Sequence, residues 1–229
     1  NIKVRAGEIV SLSGLVGSGR TEVAKAVFGY DPIDSGKVKL MGKEIKKLSP
    51  IKSVANGMGF LPEDRKSEGL ILPMSISENI VSASLRKIFR SGFLNSRREN
   101  EIGEKYVKSL KIATPDAQKV VGDLSGGNQQ KVVVGKWLET GCKFLIFDEP
   151  TRGIDVGAKS EIYKLLDTLT QQGYGILMIS SEMNEVIGIS DRVYVMKEGE
   201  ITGELTRDEL TQERIMYYAV GGKEESKNA

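Results

Sequence analysis

The chain has 229 residues, 39% of them hydrophobic and 28% charged, which is enough apolar material for one or two globular domains with a proper core. Its formal net charge of +2 argues against a strongly basic nucleic-acid binder and against a protein organised around an acidic tail. One cysteine, Cys142, excludes an intramolecular disulfide or a cysteine-based metal cluster, and it fits a reducing compartment. Histidine is absent, and no apolar run approaches the ~18 residues needed to span a bilayer. The reading is of a soluble or peripheral protein without a signal peptide. Because it opens on Asn1, it also reads as a piece of a longer polypeptide.

In chain order, "GEIVSLSGLVGSGRTEVAKAVFG" reads as strand, glycine loop and helix, closing at Gly29. "DSGKVKLMGKEI" alternates like an edge hairpin, and "GMGFLPEDRKSEGL" is a short buried strand followed by a polar loop. Ser75 to Lys136 is dominated by helical patterning, interrupted by the basic segment "SLRKIFRSGFLNSRRE". That segment interleaves Phe89 and Phe93 with cations, a pattern seen at nucleic-acid or membrane surfaces, but the near-balanced charge favours a solvated helical face. Trp137 lies at helical spacing among apolar residues and reads as core. "KFLIFDEP" is an apolar strand ending on two carboxylates, "VGAKSEIYKLLDTLTQQG" a helix and "YGILMISSE" another apolar strand. "DRVYVMKEGEITGEL" turns back on itself at "KEGE" before a last helix and a charged tail. Strands alternating with helices predict an α/β fold with a mainly parallel sheet, an antiparallel β edge and an inserted helical subdomain. The expected division is one domain over 1–222 (core about 1–74 and 137–222, helical subdomain about 75–136) with a tail at 223–229.

Two stretches carry chemistry. In "GLVGSGRT", Gly14, Gly17, Ser18, Gly19, Arg20 and Thr21 nearly spell the phosphate-binding loop G-x-x-x-x-G-K-[ST], between a strand and a helix whose N-terminus can hold polyphosphate. Such a turn can also be a plain strand-to-helix connection. Thr21 offers a hydroxyl to Mg²⁺. Arg20 replaces the usual lysine, exchanging a compact ammonium for a planar fork, so that binding can survive while the transition-state fit suffers. In "FLIFDEPTRGID", Asp148 and Glu149 stand at the end of a buried strand. Asp148 can hold Mg²⁺ through water and Glu149 can act as general base, although carboxylates there can also be turn or cap residues.

"LSGGNQQK", from Leu124 to Lys131, resembles the signature motif of ABC-transporter ATPases. "GSGRTE", "PEDRKSEGL", "DEPTRGIDVGAKSEIY", "SSEMNEV" and "DRVYVMKEGEITGEL" extend the likeness from Gly7 to Gly222. Together they resemble the second ATPase half of monosaccharide importers of the ribose and galactose type. The resemblance implies a P-loop NTPase fold, ATP and Mg²⁺ as cofactors, and a fused first ATPase half upstream. It also implies membrane permease subunits, a sugar-binding protein, a peripheral place on the cytoplasmic membrane face and no nucleic-acid partner. It implies that Ser125, Gly126, Gly127 and Gln129 act in trans on a partner half's nucleotide. Glu63 stands where the family carries a glutamine that senses metal and water, which adds a negative charge near the triphosphate and makes Glu63 a further metal-site candidate. Ser181 stands where the family carries a histidine, and a serine can never become a cation. Asp155 matches the aspartate closing the family's dimer-contact loop, with Arg152-Gly153-Ile154 departing from the usual residues before it. Relatives stack an aromatic on adenine from a strand that would precede Asn1, so without it adenine affinity is expected to fall by about 1–2 kcal/mol. Arg20, Glu63 and Ser181 together imply a half that binds ATP, hydrolyses it poorly and completes its neighbour's site. A catalytically silent scaffold, or a soluble ABC-type ATPase acting on nucleic acid or ribosomes, are the alternatives. The membrane partner is expected to dock near "PEDRKSEGLILPMSISENI".

Overall fold

The computed structural model describes residues 1–90 and 93–222. The charged tail expected at 223–229, and Ser91 and Gly92 of the basic segment, lie outside the described residues. In chain order the elements begin with β1 (Ile9–Gly14), α1 (Arg20–Phe28), β2 (Lys39–Leu40), β3 (Lys43–Glu44), α2 (Pro50–Ala55) and β4 (Met58–Leu61). Then come α3 (Ile76–Val81), β5 (Phe89–Arg90), β6 (Phe93–Leu94), α4 (Ser96–Ser109) and α5 (Gly126–Thr140). The last are β7 (Phe144–Asp148), α6 (Val156–Gln171), β8 (Gly175–Ile179), α7 (Met183–Ile189), β9 (Arg192–Lys197), β10 (Glu200–Thr206) and α8 (Gln212–Ala219).

Six strands form the main sheet in the order β10-β9-β1-β8-β7-β4. All neighbours are parallel except β10, which returns antiparallel along β9 through a tight turn at Glu198 and Gly199, both at positive φ. The reason is composition. The parallel strands IVSL, MGFL, FLIF and GILMI are almost wholly apolar and, apart from half-buried Phe144, buried, as a parallel sheet covered by helices requires. The edge strand β10 has only Leu205 fully buried. The expected α/β fold with an antiparallel edge is therefore present. The hairpin predicted at the sheet edge is instead a separate two-stranded unit, β2 with β3, because strands of two residues have too few ladder bonds to extend the main sheet.

Between β4 and β7 the chain runs through α3, α4 and α5, with a small β5–β6 hairpin that helical patterning did not foresee. Phe89 and Phe93 of that hairpin are exposed, while Arg97 and Arg98 pair with Glu101 one turn along α4. Helix α5 runs unbroken through residue 136 and carries Trp137 into an aromatic cluster, 5.9 Å from Phe28, which is itself 5.4 Å from Phe60. That cluster ties the end of α1, strand β4 and helix α5 into one core. Cys142 is buried and free, and burial pushes its thiol up to about 11. No helix among the described residues is long and apolar enough to cross a membrane.

Candidate functional site

Register decides what meets at the sheet's carboxyl edge. Leu12 of β1 and Asp148 of β7 both pair with Ile179 of β8, and Leu61 of β4 pairs with Phe147. The glycine loop, the Asp148-Glu149 pair, Ser180-Ser181 and Glu63 therefore emerge side by side, although up to about 170 residues separate them in the chain. A cleft of about 450 Å³ opens there, lined by Val16 to Glu22, by Glu63, Glu149 and Thr151 to Ile154, and by Ser181 and Glu182.

The loop's shape rests on Gly14. Its φ is 152°, and a Cβ there would stand 2.2 Å from the Met196 carbonyl oxygen and 2.7 Å from Ser18 Oγ. Gly17 and Gly19 turn the chain at positive φ, and α1 starts at Arg20 directly behind the left-handed Gly19. The first amides of α1 therefore face the cleft without intrahelical acceptors. Ser18 is 4% exposed and its Oγ has no partner. An anion seated in the loop would satisfy these groups.

Thr21 Oγ1 donates to Asp148 Oδ1 at 3.3 Å, so two of the three expected Mg²⁺ residues are together. Asp148 is 1% exposed, its Oδ2 has no partner, and burial pushes its carboxyl up to about 6 despite the Thr21 hydrogen bond. A buried carboxylate oxygen without a donor, beside a hydroxyl whose lone pairs can accept or ligate, fits a divalent cation, which would neutralise the charge that burial penalises. Glu149 follows with φ 49°, its amide donating to the Ile179 carbonyl at 2.8 Å, which turns its side chain out of the sheet into the cleft. Burial raises its pKa, opposed by a hydrogen bond from Ser181 Oγ to Oε2 at 3.1 Å. Ser181 thus holds the candidate base in place; it is too short to extend further into the cleft.

Arg20 lines the cleft, and its Nη1 donates to the Ser180 carbonyl at 2.9 Å, linking the start of α1 to the end of β8. Glu63 corrects an expectation. Its carboxylate is paired with the Arg152 guanidinium, so it does not stand as an uncompensated negative charge, and the Arg152 departure is what compensates it. That pairing engages Oε1 of the candidate metal ligand and leaves Oε2 outside it.

Ser125 is the N-cap of α5 and is exposed, with its Oγ accepting from Asn128 Nδ2 at 2.9 Å. Gly126 and Gly127 begin the helix pressed against neighbours: a Cβ on Gly127 would lie 2.9 Å from Ala158 Cβ of α6. Gln129 corrects the fourth expected residue. It is 3% exposed, and its Nε2 donates inward to the Val121 carbonyl at 3.2 Å, because the i+3 position from Gly126 faces the domain's own core. Asp155 caps α6 by accepting from the Ala158 amide at 2.9 Å.

The structure adds residues that motif reading passed over. Lys159 lines the cleft and pairs with Glu182, which raises the lysine pKa. Arg65, one residue of the quoted "PEDRKSEGL", is 8% exposed and grips the loop after β7. A cation inside a motif otherwise made of loop residues was the available signal; its target lies about 87 residues away and only the fold reveals it.

An ATP-binding cassette of an ABC transporter, MJ1267 in its ADP conformation, superposes with a TM-score of 0.81 at 24% identity over 96% of this chain and 90% of that one. An import ATP-binding protein of Rhizobium etli, named for ribose, galactose and methyl galactoside, is 55% identical over 96% of this chain and 42% of its own length. The ribose import ATP-binding protein RbsA 1 of Rubrobacter xylanophilus is 52% identical over 98% of this chain and 45% of its own. The chain spans less than half the length of these curated relatives. Residues 1–152 match the family model described as ABC transporter, and with the glycine loop, the carboxylate pair and the signature helix in place the chain belongs to the ABC transporter family.

Proposed function

We propose that this chain is an ATP-binding half of a monosaccharide importer, coupling ATP binding and hydrolysis to sugar uptake, and that its main catalytic contribution is made to a partner half. The observation that carries this reading is a separation. The chain's own cleft is lined by the glycine loop, Glu149 and Ser181, while exposed Ser125 and the start of α5 contribute nothing to it among the described residues. A helix N-terminus carrying Ser-Gly-Gly on the surface is suited to an anion held by another molecule. The names of the relatives support the sugar, and their greater length leaves room for a second ATPase half in the same polypeptide, which the resemblance of the signature and glycine-loop motifs would put upstream.

In this reading MgATP sits in the cleft, with Gly14 to Thr21 around the phosphates. Thr21 and, through water, Asp148 would hold Mg²⁺, which would supply charge neutralisation at the phosphates. Glu149 accepts the proton of the water that attacks the γ-phosphorus as the bond to ADP breaks. Arg20 and Ser181 make this slow. The guanidinium leaves its Ser180 carbonyl only at the loss of a charged hydrogen bond, and no cationic side chain stands at position 181. The stretch "PEDRKSEGLILPMSISENI", leading into the helical segment, forms the face for the permease. Exposed Ile71 and Met74 there offer an apolar surface, on the cytoplasmic side of a membrane whose sugar-binding protein lies on the other.

A silent nucleotide-binding scaffold is the second reading, favoured by Arg20 being held on Ser180 and by Ser181 being held on Glu149. Steady-state hydrolysis by the chain, by Arg20→Lys/Ser181→His and by Glu149→Gln separates the two. The first reading expects MgATP binding in all three, turnover near the Glu149→Gln background in the wild type, and a gain of at least about tenfold in the double variant. Rapid turnover by the wild-type chain alone would refute the poor-hydrolysis reading. No gain in the double variant would favour the scaffold.

A further inference from the structure

Arg65 is a buried cation without a buried anion. It opens a π-helical turn, Arg65–Gly69, and its neighbour Asp64 is turned outward to cap that turn by accepting from the Lys66 and Ser67 amides. No carboxylate pairs with Arg65 among the described residues, its Nε has no partner, and burial lowers its pKa. Enclosing a guanidinium this way is expensive, and an apolar side chain of similar length would pack there more favourably. What the guanidinium has instead is a fork: Nη1 donates to the Arg152 carbonyl at 2.6 Å and Nη2 to the Gly153 carbonyl at 3.1 Å. A third segment meets the same fork. A Cβ on Gly126 would stand 2.6 Å from Arg65 Nη2 and 2.9 Å from the Gly153 oxygen, so only glycine lets α5 begin there. The clasp is doubled, because Arg152 sends its own side chain back to Glu63, two residues before Arg65. Thr151 to Ile154, the loop so held, lines the same cleft as Gly17 to Thr21.

We propose that Arg65 is a positioning residue that joins the 151–154 loop to the first turn of α5, so that a nucleotide in this chain's cleft is felt at the Ser125–Gly127 surface. The inference rests on the nucleotide-cleft reading above and deepens it. A ligand pressing on the loop wall displaces carbonyls that Arg65 holds at fixed spacing, and Arg65 lies against the glycine at which α5 starts. Coupling of this kind needs a contiguous set of contacts with two arrangements, and the fork supplies the contact.

Amide hydrogen exchange with and without MgATP tests it. The reporters are Ile154, whose amide donates to Thr151, Gln129, whose amide donates to Ser125, and the 17–21 loop as the binding control. In the wild type MgATP slows exchange at all three. In Arg65→Met, basal exchange at Ile154 and Gln129 rises about tenfold, as loss of a charged hydrogen bond predicts. Slowing by MgATP then persists at 17–21 and disappears at Gln129. Arg65→Lys keeps the buried charge but cannot span both carbonyls; it loses the response at Gln129 while melting near the wild type, and it decides the matter if the methionine variant does not fold. A merely structural Arg65 would change basal exchange and leave the nucleotide response at Gln129 intact, which overturns the proposal. Slowing at 17–21 without any at Gln129 in the wild type also overturns it. No slowing at 17–21 in the wild type removes the cleft reading and this inference with it.

Discussion

Asp148→Asn separates stability from function at the cleft. Asp148 is 1% exposed, one of its oxygens has no donor, and its carboxyl is pushed from 3.8 to about 6 by burial. A tenfold change in proton affinity corresponds to about 1.4 kcal/mol, so ionised Asp148 destabilises the metal-free fold by about 3 kcal/mol at neutral pH. The sign follows from a folded-state pKa above the unfolded one. The stabilising contribution of the protonated form is complete below about 3.8 and is lost as the pH rises through about 6. Asparagine keeps the shape and can still accept from Thr21, but it carries no charge. In metal-free buffer at pH 7.5 the variant should therefore melt about 6–12 °C above the wild type for a domain of this size. Near pH 5 about half of that gap should close, because the protonated form is dominant in the folded chain there but not in the unfolded one. Added MgATP should reverse the order, raising the wild-type melting temperature and leaving the variant almost unmoved, because ligand stabilisation follows affinity. Scanning calorimetry at the two pH values, with and without MgATP, gives the four numbers. Equal melting temperatures at pH 7.5, or a gap that does not shrink toward pH 5, would refute the claim that the cell's metal offsets a buried, unpaired charge.

Lys136 gives a second pH test. Burial lowers its ammonium from 10.5 to about 8, so the unfolded chain binds more protons between those values and stability should rise with pH across them. Chemical denaturation from pH 7.5 to 10 should show that slope in the wild type and a flatter one in Lys136→Met. Gly14→Ala should abolish nucleotide binding or folding, since its Cβ would overlap the Met196 carbonyl at 2.2 Å, a contact with backbone that no rotamer relieves. Titration with a fluorescent ATP analogue beside a circular-dichroism melt reads both. Glu63→Gln breaks an exposed ion pair and should change stability by less than about 1 kcal/mol. It frees Arg152 at the cleft mouth, so nucleotide affinity should rise severalfold at low salt, and the gain should vanish at high ionic strength.

Residue order alone determined the strands, the glycine loop and the place of the carboxylates. Short apolar runs such as FLIF and GILM, set between glycines and helix-forming stretches, fit the buried strands of a sheet covered by helices, and the glycine loop falls between strand and helix where polyphosphate can be held. Trp137 was legible as core for the same reason. Tertiary structure decided how the charges pair. Glu63 looked like a bare negative charge until Arg152, 89 positions away, was found on it. Gln129 looked available to a partner until the phase of α5 turned it inward to Val121. Arg65 passed as one cation in a polar loop until the fold brought two carbonyls and a helix start to its fork. Hydrophobic periodicity is a local property and survives in one dimension. The sign and pairing of a charge depend on what stands within about 4 Å of it, and that is fixed only when the strands take their register.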